Sequence, residues 1–159
     1  MYLIVGLGNP EENYANTRHN VGFDVINELA QRNKITINRK KYNSLYGQGN
    51  IKGEKVILLK PQTYMNLSGM AVREFKNFFK IEDDKVIIIH DDIDIEEGII
   101  KIRKTGGAGT HNGMKSVVQE LGGKNFSRVR IGIRKTIYIA RFKRFCTRKN
   151  RWKHEKNFR

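Results

Sequence analysis

Residues 86–121 read VIIIHDDIDIEEGIIKIRKTGGAGTHNGMKSVVQEL. The run 86–89 is the most hydrophobic in the chain and predicts a central strand. An acidic turn, DDIDIEEG, follows it, and 99–103 predicts a second strand. The Gly-rich loop TGGAGTHNG then leads into a helix near 114–121, and 128–133 alternates as a closing strand. Strand, loop, helix and strand in succession set the pattern that the rest of the chain extends. Upstream, YLIVGL at 2–7 predicts a buried strand, and GLGNPEENYANTRHN a polar loop. Apolar residues at helical spacing predict a helix over 21–31. Residues 35–38, 45–51 and 55–59 predict strands, with Lys52-Gly53 as a turn. Leu67, Met70, Ala71, Phe75, Phe78 and Phe79 give 66–79 a helical apolar face, with Asn66 as its N-cap. Interleaved strands and helices imply an α/β fold, a single domain with a central mixed β-sheet flanked by helices.

The length of 159 residues suits one domain, and 38% apolar residues with 15 Gly exclude a disordered body. The lone cysteine, Cys146, excludes a disulfide scaffold and a four-thiolate zinc site. No apolar run reaches the roughly 20 residues of a membrane span. The start MYLIVGLGNP lacks a signal peptide's basic and apolar regions, so a soluble cytoplasmic protein is expected. Charge is uneven. Residues 134–159 hold 11 of the 31 Lys and Arg but one of the 16 acids, Glu155. The formal net charge is +15, and +10 of it falls in that segment.

Several motifs fail on inspection. GLGNP lacks the third glycine opening a helix and the later acid of a dinucleotide fingerprint. Counting a calcium loop from Asp92 puts Glu97 where glycine is needed and Arg103 where glutamate is needed. Among the four histidines, His19, His90, His111 and His154, no HExxH pattern occurs; His90-Asp91 with His111 could contribute to a metal site, but that spacing is not diagnostic, and no Ser or Cys nucleophile motif occurs. A histidine and a carboxylate acting on water remain. Asp91 stands where a strand's carboxyl end meets ligands in α/β sheets. Asn9, Asn20, Asn66 and Asn112 recur at the same edges; helix capping explains each singly, but not their joint placement.

Together, GLGNPEENYANTRHNVGFDVI, KPQTYMNLSGMAV, HDDIDIEEGIIKIRKTGGAGTHNGMKSV and FSRVRIGI resemble bacterial-type peptidyl-tRNA hydrolase, in that family's order and spacing over roughly residues 2–133. The resemblance implies a monomeric cytoplasmic esterase that needs no cofactor. It would cleave the ester between a peptide and the 3′ ribose of an elongator tRNA. It implies His19 as catalytic base and Asp91 as the residue orienting it. Asn9, Tyr14, Met65, Asn66 and Asn112 match residues that line or position substrate. Arg103 and Arg130 match two basic residues that hold tRNA phosphate. A histidine with a pKa near 6.5 accepts a proton from water at cellular pH. Such basic contacts grip phosphate without reading sequence. A non-catalytic RNA-binding protein of the same fold is the alternative; retention of His19, Asp91 and all three Asn argues against it.

Two departures stand out. Thr110 occupies a position where the family has Gly, and it would be strained if that position needs a positive φ. After Ile133 the motifs end, and RKTIYIARFKRFCTRKNRWKHEKNFR replaces the family's lid and C-terminal helix. The expected organisation is a catalytic core over 1–133 and an atypical basic tail over 134–159. A reading-frame shift, leaving an inactive or truncated form, is one account of the tail. An uninterrupted frame to Arg159 in resequenced DNA would sink it. The other account is a natural tail gripping tRNA, in which aromatic residues interleave with Lys and Arg.

Overall fold

The computed structural model describes residues 1–10, 20–123 and 125–134. Its apolar runs form the parallel centre of one sheet. The strands are β1 (Tyr2–Gly6), β2 (Arg39–Lys41), β3 (Ser44–Ile51), β4 (Glu54–Pro61), β5 (Val86–Glu96), β6 (Ile100–Arg103) and β7 (Ser127–Arg134). The helices are α1 (Val21–Arg32), α2 (Ser68–Phe78) and α3 (Asn112–Leu121). The sheet order is β2-β3-β4-β1-β5-β7-β6. β1 runs parallel to β4 and β5, and β5 parallel to β7. β2, β3 and β6 pair antiparallel at the two margins. This is the mixed α/β sheet that the interleaved pattern predicts.

Alternation decides which helix each strand meets. Leu3, Val5, Ile57, Leu59, Val86 and Ile88 bury one face against Val72 and Phe75 of α2 and Met114 and Val117 of α3. Val56, Leu58 and Ile89 bury the opposite face against Ile26 and Ala30 of α1. Each such side chain contributes about 1.5–3 kcal/mol of hydrophobic stabilisation. With both faces covered, the central strands read as continuous apolar runs. No helix among the described residues is long and apolar enough to cross a membrane.

Three local expectations are corrected. Residues 35–38 form no strand; the Ile35 amide donates to the Ala30 carbonyl at 2.9 Å, closing the end of α1 instead of joining a ladder. Asn66 does not cap α2. It lies in the helical turn Met65–Leu67, and α2 starts at Ser68 with Leu67 as N-cap. The acidic stretch after Ile89 turns only at Glu97-Gly98; up to Glu96 it is the far half of β5, which pairs with β7 through a register shift between Asp92 and Glu96. Buried Ile95 keeps that half on the protein despite its acids. Thr110 carries no positive φ, so the condition for strain there is not met.

Candidate active site

The parallel strands end unevenly. β1 stops at Gly6, opposite Ile89, and the Leu7 amide makes a last bond to the Ile89 carbonyl at 2.9 Å. β5 continues, so His90, Asp91 and Asp92 project past their β1 neighbour while still pairing with β7. This is the carboxyl edge where α/β sheets bind ligands. The amino end of α3 reaches the same edge. A Cβ on Gly113 would lie 2.7 Å from Met65 Sδ and 2.9 Å from His111 Cε1, so glycine permits that close approach.

His111 is the N-cap of α3. Its Nδ1 accepts the Met114 amide at 3.2 Å, which puts the neutral ring's proton on Nε2. Nε2 then donates to Asp91 Oδ1 at 2.9 Å. Both residues are largely buried, so a helix terminus fixes the ring and the ring fixes the carboxylate. His90 packs edge-on against His111, with centroids 4.8 Å apart, and its Nδ1 donates to the Asp91 carbonyl at 2.7 Å. Burial and the neighbouring His111 ring, outweighing the Asp91 carbonyl and nearby carboxylates, lower His90 from 6.5 to about 4. His90 is therefore neutral at cellular pH.

The next pair is ionic. Arg130 Nε donates to Asp92 Oδ2 at 2.8 Å. Burial raises the Asp92 carboxyl, but the Asp94 amide and the Arg130 guanidinium outweigh it and hold the group below its usual range. Arg128 beside them is buried and bonded to the loop carbonyls of Gly106 and Gly107. Burial first, then the Arg130 and Arg103 cations, lower its pKa from the ordinary value.

A cavity of about 420 Å³ gathers Met65, Asp91, Arg103, Asn112 and Arg130 from among the expected residues, with His90 and His111. Asn9 sits outside that lining, half-buried after β1, with its amide donating to Asn20 Oδ1 at 2.7 Å. Asn66 is exposed beside Met65. His19 and Tyr14 lie outside the described residues. Among the described residues no three His, Cys, Asp or Glu side chains group as metal ligands. Three participants escaped the motif reading: His111 as cap and Asp91 partner, Asp92 as Arg130 partner, and Arg128 beneath the Gly-rich loop. The signal for His111 was its place directly before Asn112 in the Gly-rich loop.

The cavity combines a fixed carboxylate, amide donors and cations, which suits hydrolysis of an ester carried by a polyanion. Comparison with known proteins agrees. Residues 3–152 match the family model described as peptidyl-tRNA hydrolase, a match that runs past the last motif at Ile133. The chain is 55% identical over 133 residues to the peptidyl-tRNA hydrolase of Clostridium perfringens (strain SM101 / Type A), covering 84% of this chain and 71% of that one. It is 57% identical over 133 residues to that of Alkaliphilus metalliredigens (strain QYMF), covering 84% and 72%. The crystal structure of peptidyl-tRNA hydrolase from Acinetobacter baumannii superposes with a TM-score of 0.82 at 44% identity, over 86% of this chain and 70% of that one.

Proposed function

The chain belongs to the peptidyl-tRNA hydrolase family, and from that premise we propose how its residues hydrolyse peptidyl-tRNA. The reaction releases peptide from the tRNA 3′ ribose and returns the tRNA for use. A ribose ester is activated relative to an amide, so water with a general base suffices. In this reading His19 takes a proton from water as the water oxygen adds to the ester carbonyl. The tetrahedral oxyanion then collapses, the bond from the carbonyl carbon to the 3′ oxygen breaks, and that oxygen takes the proton from His19 to leave as the 3′ hydroxyl. Asp91 orients that histidine and steadies the imidazolium. The side-chain NH2 of Asn112 donates to the developing oxyanion or to the peptide. Asn9, Asn66, Tyr14 and Met65 complete the peptide side, so that a free α-amino group fits poorly and N-blocked esters are preferred. Arg103 and Arg130 meet tRNA phosphate with planar forks. The substrate is any elongator peptidyl-tRNA, and the protein acts as a cytoplasmic monomer.

One observation carries the reading: the Asp91 carboxylate, held by His111 at 2.9 Å, shares a cavity with Asn112 and three arginines, Arg103, Arg128 and Arg130. The test is release of N-acetyl-aminoacyl groups from tRNA by the purified chain beside His19→Ala and Asp91→Asn. Turnover is expected in the wild type, its disappearance with His19→Ala, and a fall of at least about a hundredfold with Asp91→Asn. Equal rates in all three would discard the assignment.

A further inference from the structure

Residues 105–110 must hold a defined shape, because α3 begins at their end with His111 and Asn112. Glycine makes this stretch costly to order. Gly106 sits at φ 144° and Gly109 at φ 60°, angles that side-chain-bearing residues rarely adopt. The carbonyls of Gly106 and Gly107 are met by a side chain rather than by a neighbouring strand. Arg128 Nη1 donates to both, at 2.7 and 2.8 Å, and Nη2 donates to the Phe126 carbonyl at 3.3 Å. The guanidinium lies 4.3 Å from the Phe126 ring centre. Arg128 stands on β7 opposite Arg103 of β6, and its residue is 2% exposed. The three neighbouring arginines thus differ: Arg103 is exposed, Arg130 is paired with Asp92, and Arg128 faces the backbone of the loop.

We propose that Arg128 is a positioning residue for the hydrolysis, clamping the Gly106 and Gly107 carbonyls to β7 and so fixing where the loop delivers His111 and Asn112. Its effect on turnover rests on the esterase reading above; the clamp itself does not. Arg128 lines the cavity, but it is 2% exposed and its Nη1 and Nη2 donate to backbone carbonyls, so it acts through the loop rather than on the ester. The planar fork matters. Its fixed N–H donors are held in one plane, so it can answer three carbonyls at once, whereas lysine is a point charge on a flexible stem. A displacement of about 1 Å in a positioned group costs on the order of a hundredfold in rate. A purely structural residue would lower stability without separating kcat from KM.

The test compares Arg128→Lys with the wild type and with Arg103→Ala, on N-acetyl-aminoacyl-tRNA. Arg128→Lys is expected to lower kcat ten- to a hundredfold with KM within threefold, and to move the assigned His111 imidazole signals in NMR spectra of the full chain. Arg103→Ala is expected to do the reverse, raising KM and leaving those signals in place. Should Arg128→Lys fail to fold, Gly106→Ala decides. Its Cβ would have room, 3.7 Å from Arg128 Nη1, but its φ is strained, so it displaces the loop with the arginine intact. Wild-type kcat in the variant that folds, a kcat loss with His111 signals unmoved, or a rise in KM alone would each overturn the proposal. A wild type without turnover would overturn the esterase reading instead, and the His111 signals would still judge the clamp.

Discussion

At the scale of single residues, the site is built on one histidine's choice of tautomer. His111 caps a helix with Nδ1 and therefore offers Nε2–H to Asp91. Its neighbour His90 bears on stability. The folded state holds His90 at about 4, whereas an unfolded chain protonates it near 6.5. The unfolded state thus binds the extra proton first as pH falls. The stability from a neutral His90 is complete above about 6.5 and is lost progressively toward 4, approaching about 3 kcal/mol. Urea melts at pH 7 and pH 5 check this. The wild type should lose more stability between the two than His90→Asn, which keeps a donor for the Asp91 carbonyl but does not titrate. Equal losses would remove His90 as the cause. Asp91 and Asn112 were legible in sequence because acids and amides at strand and helix ends are chemically suggestive. His90-Asp91 and His111 suggest at most a metal set in sequence; the hydrogen bond between His111 and Asp91 is not legible there, since 20 residues separate them and only the fold joins them.

At the scale of elements, strand register explains how cations collect. Lys101 of β6 lies opposite Arg130 of β7, and Arg103 opposite Arg128. Cross-strand partners share a face, and residues two apart on a strand share it too, so all four lie on one side. Lys101 and Arg103 are both exposed on the margin strand, and Arg103, which also lines the cavity, is the member best placed for an outside phosphate. Arg103→Ala should raise KM several-fold and reduce the salt slope of tRNA binding by about one. A slope unchanged across a salt titration would remove Arg103 from the phosphate contacts. The strands themselves were legible where apolar residues run or alternate, as in β1, β4 and the first half of β5. The second half of β5 was hidden by its acids: Asp92 and Asp94 suggest a turn, yet buried Ile95 and pairing to β7 keep the chain extended. Residues 35–38 misled in the opposite direction. Their apolar side chains signal a strand, but Ile35 is buried beside α1 and its amide is spent on that helix.

At the scale of the whole molecule, charge is distributed unlike the core. The buried apolar residues among those described run from Leu3 to Ile133 and build both faces of the sheet. The segment 134–159 adds 11 basic side chains against one acid, and its aromatic and basic residues interleave. It lies, beyond Arg134, outside the described residues. We propose that the division is functional as well as compositional: the core carries the chemistry, and the tail adds a sequence-independent attraction for tRNA. Each phosphate neutralised by a cation steepens the fall of affinity with salt by roughly 0.7–0.9 in log–log slope. A chain ending at Arg134 should therefore show a cooperative melt and a kcat near that of the full chain. Its KM should be higher at low salt, and its salt slope shallower by several units of that coefficient. The two KM values should converge as salt rises, because screening removes the tail's contribution first. Parallel salt dependences for the two lengths would show that the tail makes no contact with the substrate. Loss of the cooperative melt would show that the core needs residues beyond its last strand.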